Sequence, residues 1–195
     1  MLNYEGKYYM YGTGAAGKGY GCYVSEDLEN WSGPFTVFSA DSEEGFDGIK
    51  DFWAPECHYY NGSFYLFATY FSSETQHRGT AVFKSESPLG PFKLHSSGHI
   101  TPKYRDCIDG TLYVDDDGQP WIVYVNEWTS NKDEIGTMAV SKLSSDLSFR
   151  MGEPKEIFRA DRHLWTDSKV TDGPFLYKTS EGRLIMIWSN SAKSG

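Results

Sequence analysis

Four segments of this 195-residue chain share one layout: an acidic or polar residue, a glycine, then an alternating aromatic and aliphatic run. They are YEGKYYMYGT, YNGSFYLFAT, DDGQPWIVYV and SEGRLIMIWS. Their glycines are Gly6, Gly62, Gly118 and Gly182, so the intervals are 56, 56 and 64 residues. A glycine placed this way between two strand-like runs marks a tight hairpin, because it supplies the positive φ the turn needs. Strand-like runs precede three of the turns (PECHYY, GTLYVD and GPFLYK), and TAVFKSE and GTMAVSKL follow two of them, each leading to a turn at SPLGPF or SSDLSF. The first repeat has the matching GYGCYVSEDLENW. Each unit thus predicts about four antiparallel strands in ~56–64 residues, the size of a propeller blade. A sandwich or jelly roll also has many short strands, but it does not require a hairpin at near-constant interval. The predicted fold is all-β: one β-propeller domain fragment with repeats at about 1–46, 47–104, 105–166 and 167–195. Two blades are expected to be full and two partial, since no strand is legible before Gly6 and the fourth repeat ends after its second strand.

Composition agrees with strands: 16% of the residues are aromatic, with 14 Tyr, 12 Phe and 6 Trp. The net charge is −9 and there is no Lys/Arg-rich run, which argues against a nucleic-acid partner and suits a neutral ligand such as sugar. No apolar stretch approaches the ~20 residues of a membrane span, and the opening MLNYEGKYYM does not read as a signal peptide. No membrane partner is expected, and localisation is left open. Cys22, Cys57 and Cys107 are odd in number and lack CxxC spacing, so they read as buried free thiols.

In a propeller the innermost strand of each blade lines the central channel, and the heads of these strands converge. Asp109 in IDGT and Asp172 in TDGP hold that place in the third and fourth repeats, and WAPE offers Trp53 and Glu56 in the second. Converging acids suit glycoside hydrolysis, which needs a proton donor, a base for water and a neighbour that raises the donor's pKa. The plainer reading is that each Asp only shapes the turn before its Gly. Their equivalent repeat positions favour the functional one. An aromatic face at Trp53 stacks on sugar C–H surfaces, and the Glu56 carboxylate accepts from hydroxyls; a core Trp and a structural hydrogen bond are the alternative.

The segments DFWAPECHYYNGSFYLFATY, IDGTLYVDDDGQPWIVYV and VTDGPFLYKTSEGRLIMIWS, in this order, resemble successive blade signatures of glycoside hydrolase family 43. The resemblance covers nearly the whole chain. It implies a five-bladed β-propeller and inverting hydrolysis of α-L-arabinofuranosides or β-D-xylosides. It also implies Asp109 as the residue that tunes and orients the acid, and Asp172, where the family usually has Glu, as the proton donor. The family's general base is an Asp of the first blade; the matching strand would precede YEGKYYMYGT, and Met1, Leu2 and Asn3 are not acidic. No general base is therefore assigned in this chain, which looks like the middle of such an enzyme and is expected to be impaired by itself. Many relatives carry a central ion near a fifth-blade His; its ligands are not expected here, and no cofactor is assigned.

Glu127 and Trp128, in NEWTSNKDE, are candidates for the pocket mouth. The acids of VDDDG are consecutive rather than alternate, so they read as a hairpin and not as a calcium loop. His58, His77, His95, His99 and His163 show no ligand spacing, and no metal is expected. Trp31, Trp121, Trp165 and Trp188 read as blade packing. Two rival functions are a carbohydrate-binding propeller without catalysis and a propeller scaffold for protein partners. Open propeller edges also predict self-association.

Overall fold

The computed structural model describes residues 1–162 and 168–190; His163 and Trp165 lie outside the described residues. The four repeat glycines all take positive φ, from +76° at Gly6 to +83° at Gly62. Each sits in the hairpin turn that the sequence pattern requires of it.

The strands form four antiparallel sheets in which spatial order follows chain order. The first holds β1 (Leu2–Tyr4), β2 (Lys7–Gly12), β3 (Gly19–Ser25) and β4 (Ser32–Ser39). The second holds β5 (Gly48–Tyr60), β6 (Ser63–Ser72), β7 (Arg78–Ser85) and β8 (Lys93–Leu94). The third holds β9 (Cys107–Val114), β10 (Pro120–Asn126), β11 (Thr137–Leu143) and β12 (Arg150–Arg159), and the last β13 (Asp172–Lys178) and β14 (Leu184–Ser189). The sequence expectation of two full blades needs correction here. Among the described residues three sheets have four strands and one has two. Leu2, Asn3 and Tyr4 suffice for a short first strand, because the Glu5–Gly6 turn folds them onto Tyr9, Tyr8 and Lys7.

The sheets pack face to face, and period-two alternation gives each interface its own core. Tyr20, Phe38, Phe52 and Phe83 fill the first interface, with ring centroids 4.5–5.7 Å apart. Phe67, Val82, Ile122 and Tyr124 fill the second. Ile108, Val123 and Met138 meet Leu176, Met186 and Trp188 in the third. Cys22, Cys57 and Cys107 are buried free thiols in this packing. Trp188 also packs tilted against Phe158, with centroids 5.1 Å apart, whereas Trp121 Nε1 donates to Asp115 Oδ2 at 2.8 Å and ties down the VDDDG hairpin.

The inner strands are irregular at their heads. The β5–β6 register shifts on both sides of Trp53, β9–β10 shifts between Val123 and Val125, and β13–β14 shifts between Asp172 and Phe175. Left-handed residues mark each shift: Asp51 (φ 58°) and Ala54 (φ 43°) in β5, Asp109 (φ 55°) in β9 and Gly173 (φ 50°) in β13. A bulge of this kind breaks the ladder and re-aims a side chain. Here it recurs at the same end of three successive blades.

Candidate active site

The bulge in β9 frees two backbone N–H groups from the ladder, and the neighbouring blade captures both. Asp109 N donates to Thr69 Oγ1 at 3.0 Å, and Gly110 N donates to Thr80 Oγ1 at 3.1 Å. The two threonines are fully buried on β6 and β7, so the head of β9 is pinned to a rigid wall. Gly110 is required by this approach: a Cβ there would lie 2.7 Å from Thr80 Cγ2 and 2.8 Å from Ile122 Cδ1. Asp109 is held in its left-handed conformation by neighbours on both sides.

Asp172 opens β13, the inner strand of the next sheet, and its carboxyl lies beside the Asp109 carboxyl. Gly173 N donates to Asp109 Oδ2 at 3.0 Å. Burial, and then the adjacent Asp172, push Asp109 up to about 8; the Gly173 N–H opposes this without cancelling it. Asp109 therefore keeps a proton at neutral pH.

A cavity of ≈ 220 Å³ opens beside Asp109, lined also by Ala54, Pro55, Glu56, Gly173 and Phe175. Burial pushes Glu56 up, but the neighbouring His58 ring and Thr111 hydroxyl outweigh it and hold the carboxyl below its usual range. His58 Nε2 lies 3.7 Å from Glu56 Oε1. One wall of the cavity thus carries a protonated carboxyl and another an ionised one. Environments that separate two carboxyls in this way assign an acid and an acceptor.

A second polar cluster lies nearby. Arg78, the first residue of β7, donates from Nε to Asp51 Oδ2 at 3.0 Å and from Nη1 to Glu127 Oε2 at 2.7 Å. Its backbone N–H donates to Asp106 Oδ1 at 2.7 Å, and its guanidinium lies 5.0 Å from the centroid of the Trp53 ring. A cation over an indole face fixes the ring plane. Burial raises the Glu127 pKa, which Arg78 partly offsets, and the Glu127 charge in turn contributes to raising Asp109.

Of the six site residues read from sequence, Asp109 and Asp172 meet directly and Glu56 shares the Asp109 cavity. Trp53 sits beneath Arg78, and Glu127 is almost wholly buried behind it rather than at a mouth. Trp128 packs against the core of Ile108, Val123, Val125 and Met138. The reading missed Arg78, Asp51, Asp106 and the Thr69–Thr80 pair. Only the bulge, which brings β6 and β7 hydroxyls under β9, makes the threonines part of the site. Among the described residues no group of three or more His, Cys, Asp or Glu is placed to hold a metal ion.

Blade-like sheets whose inner-strand heads bring carboxyls to one cavity fit a propeller of the glycosidase class. The sequence profile of glycosyl hydrolases family 43 matches residues 1–194, and the chain belongs to that family. It is 36% identical to an endo-arabinase from Bacteroides thetaiotaomicron, with a TM-score of 0.88 over 97% of this chain and 67% of that one. A thermostable family-43 glycoside hydrolase superposes with a TM-score of 0.89 at 29% identity, covering 98% of this chain and 62% of the other. The extracellular exo-α-(1→5)-L-arabinofuranosidase ArbA of Cellvibrio japonicus is 27% identical over 96% of this chain, and the extracellular endo-α-(1→5)-L-arabinanase 1 of Bacillus subtilis is 27% identical over 68%. The chain spans 57% and 43% of those two relatives. The four sheets correspond to part of the five-bladed propeller of this family.

Proposed function

We propose that the Asp109–Asp172 pair is the acid side of an inverting glycosidase site for α-L-arabinofuranosides or β-D-xylosides of plant-type polysaccharides. The observation that carries this is the meeting of two carboxyls from adjacent inner strands, with Asp109 raised by burial and by its partner. Asp109 holds the shared proton and orients Asp172, and Asp172 delivers it to the leaving glycosidic oxygen. Glu56 receives sugar hydroxyls in the cavity beside Asp109, and the Trp53 ring offers a sugar-stacking face near it. The names of the relatives favour arabinan-type substrates.

Inversion also needs a base that activates water on the opposite face of the sugar, with the carboxyls roughly 6.5–9.5 Å apart. Among the described residues Glu56 is the other carboxylate of this cavity, and His58 and Thr111 already engage it. Turnover by this chain is therefore expected to fall ~10²–10⁴-fold below that of a complete site. That engagement also favours a second reading, in which the cavity binds sugar without cleaving it. Assays on aryl α-L-arabinofuranoside, aryl β-D-xyloside and arabinan oligomers, with Asp172→Asn and Glu56→Gln beside the parent, separate the readings. Slow turnover abolished by Asp172→Asn supports the proposal. Fast turnover lost in Glu56→Gln would make Glu56 the base. Oligomer binding without turnover would leave the binding reading, and turnover indifferent to Asp172→Asn would refute the acid assignment.

A further inference from the structure

Trp53 rides on the bulge of β5, between the left-handed Asp51 and Ala54, where the register to β6 shifts on both sides of it. A residue in such a place takes its orientation from neighbours outside its own ladder. Ala54 N donates to Thr13 Oγ1 at 2.9 Å, which ties the far side of the bulge to the first blade. Arg78 ties the near side: its Nε donates to Asp51 Oδ2 at 3.0 Å, and its guanidinium carbon lies 5.0 Å from the centroid of the Trp53 ring. One side chain thus holds the backbone two residues before the indole and lies over the indole itself.

Arg78 is in turn anchored in the third blade. Its Nη1 donates to Glu127 Oε2 at 2.7 Å and lies 3.5 Å from Asp106 Oδ1, which also accepts from the Arg78 backbone N–H. The Glu127 side chain is 7% exposed and that of Arg78 22%. A planar guanidinium gripped at two of its nitrogens cannot turn, so its plane, and with it that of the indole beneath, is set by carboxylates on two blades. The plainer reading is a staple that only joins the second blade to the third. A buried ion pair by itself adds little net stability, however, and a staple needs no aromatic ring under it. Trp53 also directly precedes Ala54, Pro55 and Glu56, which line the Asp109 cavity, so the clamp ends at the edge of that cavity.

We propose that Arg78 is a positioning residue for sugar binding: it holds the Trp53 indole in the plane on which a neutral sugar stacks, without touching the sugar itself. This rests on the reading of the Asp109 cavity as a glycoside site. An aromatic face binds the C–H surface of a sugar more tightly when its orientation is fixed beforehand, since ordering a free ring on binding costs affinity. Lysine cannot replace arginine in this role. An ammonium is a point charge that presents neither a fork to two carboxylates nor a flat face to an indole.

Arg78→Lys keeps the charge and tests this with two readouts. One is calorimetry with neutral arabinotetraose; the other is the near-ultraviolet circular dichroism of Trp53, obtained as parent minus Trp53→Phe. Affinity is expected to fall by about three- to tenfold, and the Trp53 band to lose most of its amplitude while the far-ultraviolet spectrum stays unchanged. Asp51→Asn should move both in the same direction, and less. Arg78→Met/Glu127→Gln releases the indole without stranding a buried carboxylate, and its loss of affinity should match or exceed that of Arg78→Lys. Weaker binding with the Trp53 band intact would make Arg78 a direct sugar contact, and full affinity in both Arg78 variants would make it a blade staple alone. Either result overturns the inference and leaves the sugar site standing. A parent that binds no neutral sugar would overturn the glycoside reading, and this inference with it.

Discussion

Asp109 carries a measurable consequence at the scale of one residue. An aspartate ordinarily titrates near ~3.9, and burial beside Asp172 takes this one to about 8. Between those values the folded chain holds a proton that the unfolded chain has released, so stability must fall as pH rises from about 4 to about 8. Asp109→Asn keeps the shape of the neutral acid and tolerates the same left-handed backbone. The variant is expected to flatten this slope and to exceed the parent in stability at pH 8 by roughly 1–3 kcal/mol. Urea titrations at pH 5 and pH 8 measure it, and identical slopes for parent and variant would contradict the shared proton. The acids themselves were legible in sequence, because equivalent repeat phase singles them out from ordinary turn aspartates. Which of them is raised was not, since that depends on burial and on the Gly173 N–H, neither of which has a local signature.

The hairpins follow directly from their glycines, and alternation identifies which side chains enter the interfaces. The first strand escaped notice because three residues are too few to show a period. The bulges also lie beyond pattern reading, since their partners are threonine hydroxyls on another blade rather than residues along the strand. That dependence predicts two effects on one element. Gly110→Ala would drive a methyl into Thr80 and Ile122 and should cost about 1–3 kcal/mol, the range for overpacked cores. Thr69→Val keeps the volume but strands the Asp109 N–H, a loss of about 1–3 kcal/mol. Chemical denaturation gives both values. If Thr69→Val is silent, the inner strand is held by its own sheet and not by its neighbour. The Arg78 cluster shows the same limit, because Asp51, Asp106 and Glu127 reach it from β5, the approach to β9 and the end of β10.

Across the whole molecule, every sheet interface buries an apolar face on both sides, until the last sheet. Leu176, Met186 and Trp188 point into the third core, and alternation turns Phe175, Tyr177, Ile185 and Ile187 the other way. These four are 44%, 53%, 45% and 59% exposed, on a sheet of two strands. Large contiguous apolar surface marks an interaction face, and an unpaired strand edge adds a row of free backbone donors and acceptors. Covering these four side chains on each of two copies contributes on the order of 10 kcal/mol at about 25 cal/mol per Å², which a loss of translational and rotational freedom of about 4–15 kcal/mol offsets in large part. Self-association of this chain through the outer face of β13–β14 is therefore expected to be weak, with a dissociation constant in the upper micromolar range. Light scattering across a hundredfold range of concentration should show mass rising with concentration, and Ile185→Lys/Ile187→Lys should return it to that of a monomer without loss of strand content. Constant monomer mass at all concentrations would mean that this face stays solvated, and association retained by the double lysine variant would move the contact to the first sheet, where Met10 and Phe35 are 40% and 44% exposed.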